Sequence, residues 1–307
     1  EKEMVIASDV QAIISHTNKV VYLEDFEIVF VKGNDVKFFS AAGAPIKKEV
    51  VTITWTADQV EKAGYKHFML KEIHEQPRAV AAACAPHVDL ETKRVKLSDV
   101  GLSDEQLRGI ERVFIIACGT SYYAGLAGKY LIEQLAKIPV ECDIASEFRY
   151  RDPVIPPRSL ILTISQSGET ADTLAALRLA KQAGALTLSI CNVRASSIDR
   201  EAHGHLYMNS GPEIGVASTK AFVSTLALLN LLSLYLGQVR GALSVKDEQH
   251  ALEQLLAAPS QMEAVLAYDK FFAEAAQKLK AYKGILFMGR GINYPIALEG
   301  ALKLKEL

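Results

Sequence analysis

Three hydroxyls, an amide and a glycine crowd into the six residues Ser165-Gln166-Ser167-Gly168-Glu169-Thr170. The segment follows the apolar run 160–164 and opens a helical pattern, which places it at a strand end leading into a helix N-terminus. There the first-turn N–H groups have no intrahelical acceptor and the helix dipole is positive, while the neutral hydroxyls add donors. Such a turn can cradle a phosphate without a lysine. One Ser or Thr alone would read as an N-cap; the density of donors points to anion binding.

Three further segments carry polar residues at element ends. Cys118-Gly119-Thr120-Ser121 repeats the strand-to-helix pattern. Gly119 permits close backbone approach, and Thr120 and Ser121 can either hydrogen-bond sugar hydroxyls beside a phosphate or cap a helix. Gly215-Val216-Ala217-Ser218-Thr219-Lys220 enters a long apolar helix, where Ser218 reads as a cap or as a pocket wall and Lys220 as a solvated first-turn lysine. In the helical stretch 297–306, Lys303 and Glu306 share a face, a spacing that by composition alone means a surface ion pair worth about 0.2–0.5 kcal/mol. Gly289-Arg290-Gly291 lacks the third glycine of a dinucleotide loop, that place being Tyr294, and neither G-x-x-x-x-G-K-[ST] nor G-x-S-x-G occurs. His203 and His205 have no partners at metal-ligand spacing, so the sequence calls for no metal and no cofactor.

The elements that must position these residues alternate strand and helix. Apolar strands are expected at 113–117, 140–143, 160–164, 186–191 and 205–208, with helices at 122–135, 170–183 and 218–235. Short connections between them predict βαβ units: an α/β fold with a parallel sheet and helices on both faces. A second strand-turn-helix unit, Ile285 to Met288 and then a helix carrying Tyr294, Ala297 and Ala301, repeats 114–120 and Tyr123, suggesting a duplicated domain that breaks off early. Ahead of the sheet, runs at 19–24, 26–32, 36–40 and 49–54 with a Gly33-Asn34-Asp35 turn predict an antiparallel meander. The charged stretch 67–78 follows, where Pro77 would begin a helix ending near Cys84.

Composition narrows the class. The 307 residues suffice for about two domains, half are apolar, and 34 Lys+Arg against 36 Asp+Glu leave a net charge of −2. With a pI near 6.4 and mean hydropathy of +0.12, global disorder and electrostatic attraction to nucleic acid are excluded. The apolar run 221–236 falls short of the ~20 residues of a spanning helix and reads as a buried helix, so no membrane is expected. Cys84, Cys118, Cys142 and Cys191 form no CxxC pair, which fits a reduced, cytoplasmic setting. Glu1 at the start and Leu307 inside a helical pattern read as cut ends.

Taken together, residues 165–173, 118–121 and 289–306 resemble the glutamine–fructose-6-phosphate aminotransferases, also called glucosamine-6-phosphate synthases. The resemblance implies an α/β sugar-isomerase (SIS) domain at 106–245, preceded by the β-rich tail of an N-terminal-nucleophile glutaminase domain at 1–70 and a linker with helix at 71–105. Connecting helices and the start of a second sugar-isomerase domain would occupy 246–307. It implies a reaction that transfers ammonia from glutamine to fructose 6-phosphate with isomerisation to glucosamine 6-phosphate, without metal or redox cofactor.

By motif, Ser165, Gln166, Ser167 and Thr170 would hold the sugar phosphate, Thr120, Ser121 and Ser218 would line the same pocket, and Glu306 would move a proton between C1 and C2 beside Lys303. The family's glutaminase cysteine and two of its sugar-site residues would lie outside this chain, so glutamine would act only through the missing half and the chain alone would be inactive. A homodimer is expected. Two alternatives remain at this point: a non-enzymatic sugar-phosphate sensor and a ketose–aldose phosphate isomerase without amination.

Overall fold

The structure, a computed structural model, describes residues 4–7, 10–13, 16–33, 35–53, 61–97 and 100–307. The chain divides into two compact units, Glu1–Phe68 and Met69–Leu307.

In the first unit, β1 (Lys19–Val20) pairs antiparallel with β5 (Val51–Thr52), and β2 (Ile28–Lys32), β3 (Asp35–Phe39) and β4 (Pro45–Ile46) form a separate antiparallel sheet. The β2–β3 register runs from Ile28 opposite Phe39 to Lys32 opposite Asp35. The expected meander is thus split, and its outer strands shrink to two residues each. Asn34 of the expected turn and Thr54 lie outside the described residues. β2 and β3 alternate exposed with half-buried positions and contain no buried residue.

The second unit opens with α1 (Phe68–Cys84). Pro77 lies inside this helix rather than at its start, because a proline removes a single hydrogen bond, here to the Ile73 carbonyl, while Val80, Ala83 and Cys84 beyond it pack into the main core. A short hairpin, β6 (Val88–Asp89) with β7 (Arg94–Val95), and α2 (Asp104–Arg108) lead to the central sheet. α2 carries a complete capping box between Ser103 and Gln106.

The sheet is built from β8 (Arg112–Ala117), β9 (Val140–Ile144), β10 (Ser159–Ser165), β11 (Leu186–Cys191) and β12 (Gly204–Tyr207), all parallel, in the order β12-β11-β10-β8-β9. All seven residues of β10 are buried. Alternation along β8 explains the two layers. Val113, Ile115 and Ala117 face the core shared with α3 (Gly119–Leu135) and α7 (Lys220–Val239), whereas Phe114 and Ile116 face α4 (Ala145–Tyr150) and α5 (Ala171–Gln182). α3 lies directly against α7: a Cβ on Gly128 would come within 2.8 Å of Leu229 Cδ2. α7 is long and apolar enough to cross a membrane, yet 72% of its most apolar window is buried inside the fold, as expected for a core helix.

α6 (Ser197–Glu201) follows β11, and α8 (Val245–Leu266), α9 (Asp269–Leu279) and α10 (Asn293–Glu306) follow α7. The second strand-turn-helix unit is half realised. Its helix is α10, but residues 285–288 form no strand, and Leu286 and Met288 are exposed. A strand needs a neighbour for its N–H and C=O groups, and none among the described residues pairs with this segment. The four cysteines are free thiols, and burial pushes Cys84 up to about 11 and Cys142 to about 12.

Candidate functional site

β8 and β10 are neighbours whose onward connections run to opposite sides of the sheet, β9 on one and β11 on the other. The crevice at the carboxyl ends of such a pair is where open α/β sheets bind ligands. With Thr163 opposite Ile116, the register brings the turn after Ser165 level with the turn after Cys118.

The 165–170 turn is held in shape by its own polar groups. Ser165 Oγ accepts from Gly168 N at 3.0 Å and lies 2.9 Å from Thr170 Oγ1, and Ser167 Oγ accepts from Glu169 N at 3.2 Å. Gly168 adopts φ +69°, and a Cβ there would lie 2.5 Å from Ser196 Cβ and run into its hydroxyl. Glu169 Oε1 accepts from Ser197 N, and the Gly168 carbonyl from Ile198 N, which pins the turn to α6. Thr170 occupies the N-cap position of α5 but its side chain does not cap the helix, so the first-turn N–H groups have no side-chain acceptor. Gln166 Nε2 is buried without a partner. The Ser165 hydroxyl is itself buried and engaged within the turn.

A chain of polar ties runs from this turn to the 210–220 loop. Asn192 N donates to the Gln166 carbonyl, Asn192 Nδ2 to the Gly211 carbonyl at 2.7 Å, and Ser210 N to Asn192 Oδ1. The loop is fastened to α1 as well: Glu72, 2% exposed, accepts from Ile214 N at 2.6 Å and Gly215 N at 3.0 Å.

Two readings of this loop are corrected. Ser218 is not the cap of α7; its hydroxyl donates to Glu213 Oε2 at 2.8 Å, and Glu213 Oε1 accepts from Thr219 N and Ala221 N. A carboxylate beside orphan N–H groups and a positive dipole outcompetes a neutral hydroxyl for that place. Burial holds the Glu213 carboxyl above its ordinary range, opposed by those hydrogen bonds. Lys220 is not solvated either. It is 2% exposed and its ammonium sits 2.6 Å from Glu75 Oε2, a partner on a helix 145 positions away that no local pattern reveals.

The helix α10 brings the remaining candidates to α3. Lys303 Nζ lies 2.7 Å from Glu306 Oε2, 3.2 Å from Glu299 Oε1 and donates to Thr120 Oγ1 at 3.0 Å. Thr120 Oγ1 in turn donates to Glu299 Oε1 at 3.0 Å. The Lys303–Glu306 pair is therefore no solvated surface bridge: the lysine side chain is 17% exposed, and its three protons face three acceptors. Glu299 was not among the sequence candidates, although its place four residues before Lys303 is a visible signal. Burial is the largest influence on its carboxyl and raises its pKa, against Lys303 and Thr120. Ser121, half-buried, stands in the first turn of α3 beside Thr120. A separate cleft of about 430 Å³ between α3, β9 and Tyr294 contains none of the candidate residues.

Comparison with known proteins agrees with the fold. The SIS domain family matches residues 106–235. Glutamine–fructose-6-phosphate aminotransferases (isomerizing) of Clostridium tetani and Clostridium perfringens are 48% and 47% identical over all 307 residues of this chain and over 50% of their own length. The chain thus spans about half the length of the curated relatives it matches. The structure of the C-terminal domain of glucosamine-fructose-6-phosphate aminotransferase from Francisella tularensis is 41% identical, with a TM-score of 0.77 over 80% of this chain and 69% of that one. Identity of 41% to a solved structure that the chain covers to 69%, and of 48% to a curated relative over the full 307 residues, places the chain in the glutamine–fructose-6-phosphate aminotransferase family, with its SIS domain at residues 106–235.

Proposed function

We propose that this chain supplies the sugar-phosphate site of an enzyme that transfers ammonia from glutamine to fructose 6-phosphate and isomerises the product to glucosamine 6-phosphate. The observation that carries this reading is the uncapped N-terminus of α5, ringed by Ser165, Gln166, Ser167 and Thr170 at the sheet's switch point. Phosphate oxygens accept from the first-turn N–H groups, the Ser167 hydroxyl and the unpartnered Gln166 amide, while Ser165 and Thr170 hold the turn's shape.

Thr120, Ser121 and Ser218 line the sugar. The hydroxyl hydrogen of Thr120 is directed at Glu299, so it offers the sugar a lone pair and accepts from a sugar hydroxyl. Glu306 takes a proton from C1 and returns it to C2, with the Lys303 ammonium beside it to stabilise the negative charge that develops on the sugar oxygen or nitrogen. In this reading residues 1–70 belong to the glutamine-hydrolysing part, 71–105 to a linker, 106–245 to the first sugar-isomerase domain and 246–307 to the approach to a second. The protein acts as a homodimer in the cytoplasm.

Thermal unfolding of the chain with fructose 6-phosphate and with unphosphorylated fructose tests the site. Ligand at about 100 times its Kd adds ~2.7 kcal/mol, or roughly 5 °C for a unit of this size. The shift is expected with the phosphorylated sugar only and is lost in Ser167→Ala. An equal response to both sugars would refute the phosphate cradle. With the natural full-length protein, absence of amide nitrogen from labelled glutamine in the sugar product would favour an isomerase without amination.

A further inference from the structure

The polar contact between α10 and α3 passes through Glu299, which takes no direct part in the proposed reaction. Glu299 is 5% exposed, and its Oε1 accepts from Thr120 while touching Lys303; its Oε2 is buried without a hydrogen-bond partner. We propose that Glu299 is a positioning residue for the proton-transfer pair, clamping the Lys303 ammonium and the Thr120 hydroxyl so that α10 presents Glu306 in one place relative to the sugar site. The proposal rests on the assignment of Lys303 and Glu306 to the reacting site.

Stability does not explain a carboxylate at this position. Desolvating a charge is expensive, and a whole buried ion pair can often be replaced by apolar groups of similar volume without loss; with Glu299 alone replaced, Lys303 still keeps Glu306 and Thr120 as partners. What Glu299 supplies is direction. Lys303 donates to Thr120, Thr120 donates to Glu299, and Lys303 also meets Glu299, which closes a triangle between two helices. Lys303 sits on a flexible four-carbon stem, and without the Glu299 corner its ammonium is free to follow Glu306 outward. Glu306 needs such a tether, because it stands in the last turn of α10 and its own side chain is about one-third exposed. α10 has no capping side chain at its start, and no strand precedes it at residues 285–288. Among the described residues, the side-chain hydrogen bonds from α10 to α3 are those at Thr120.

The test compares the natural full-length protein with Glu299→Gln and Glu299→Leu, measuring turnover of fructose 6-phosphate with glutamine and thermal unfolding of the same samples. Misplacement by about 1 Å can cost on the order of 10²-fold in rate. Accordingly kcat should fall roughly tenfold in the glutamine variant and further in the leucine variant, with KM for fructose 6-phosphate within about twofold and a cooperative melt retained. An unchanged kcat in either folded variant overturns the proposal. So does a cooperative melt lost in both, which would make the residue structural. If only the glutamine variant fails to fold, the leucine variant decides by the same criterion. A wild-type protein that neither binds nor converts fructose 6-phosphate would instead refute the site assignment.

Discussion

Gly168 is the position where one methyl group should do the most damage to the site. Its φ of +69° is a backbone conformation in which an L-residue pays about 1–2 kcal/mol. The added Cβ would also lie 2.5 Å from Ser196 Cβ and closer still to its hydroxyl, and forcing a methyl into a filled space costs about 1–3 kcal/mol. Gly168→Ala should therefore lose about 2–5 kcal/mol in urea unfolding and abolish the fructose 6-phosphate shift, because the turn that carries Ser167 must open. The two components separate in a double-mutant cycle. Ser196→Gly removes both clashing atoms, and since the Ser196 hydroxyl has no hydrogen-bond partner its own loss is small. In that background Gly168→Ala should cost only the backbone part, about 1–2 kcal/mol, with ligand response partly restored. A Gly168→Ala protein within about 0.5 kcal/mol of wild type, or no recovery from Ser196→Gly, would show that the turn is not held by this contact.

Other perturbations follow from the buried charges. Lys220→Ala removes an almost fully buried ammonium from Glu75, and breaking such a pair typically costs ~3–5 kcal/mol. Lys71 and Arg78 also approach Glu75 at 3.7 Å, so a loss of about 2–3 kcal/mol is expected, and an unfolding curve unchanged within error would contradict the pairing. Glu299 gives a pH signature of defined sign. Its folded-state pKa is raised by burial, so its contribution to stability is full below the ordinary value of 4.5 and is lost as pH rises through the raised value. The melting temperature of wild type minus that of Glu299→Gln should fall from pH 4 towards pH 7, and a flat or rising difference would refute the burial of this carboxyl.

The sheet was legible in the sequence because its signal is local: β8, β10 and β11 are mostly apolar runs, and the bounds of all five strands shift by at most one residue from those expected. The 165–170 turn was legible for the same reason, a donor-rich segment joining one strand to one helix. What could not be read is long-range. Lys220 meets Glu75 across 145 positions and Thr120 meets Glu299 across 179, so sequence spacing makes the first look solvated and leaves the second unnoticed. Pro77 misled for a different reason, since its preference for a first helical turn is weaker than the packing of the residues around it. Ile285 to Met288 have strand composition, but a strand is a property of two partners.

Four buried glutamates divide into two kinds, and the division bears on function. Glu72, Glu213 and Glu248 each accept from backbone N–H groups, at Ile214 and Gly215, at Thr219 and Ala221, and at Val95. These carboxylates fix loops and helix ends, and two of them hold the 210–220 loop, Glu72 from α1 and Glu213 from within the loop. Glu299 accepts from no backbone group in the hydrogen bonds of the described residues; its partners are the hydroxyl of Thr120 and the ammonium of Lys303. A carboxylate spent on backbone N–H groups defines where the chain goes, whereas one spent on side chains defines where those side chains point. The first kind fixes the 210–220 loop that carries Ser218. The second stands one turn from Lys303 and two from Glu306, the pair to which the proposed function gives the proton transfer.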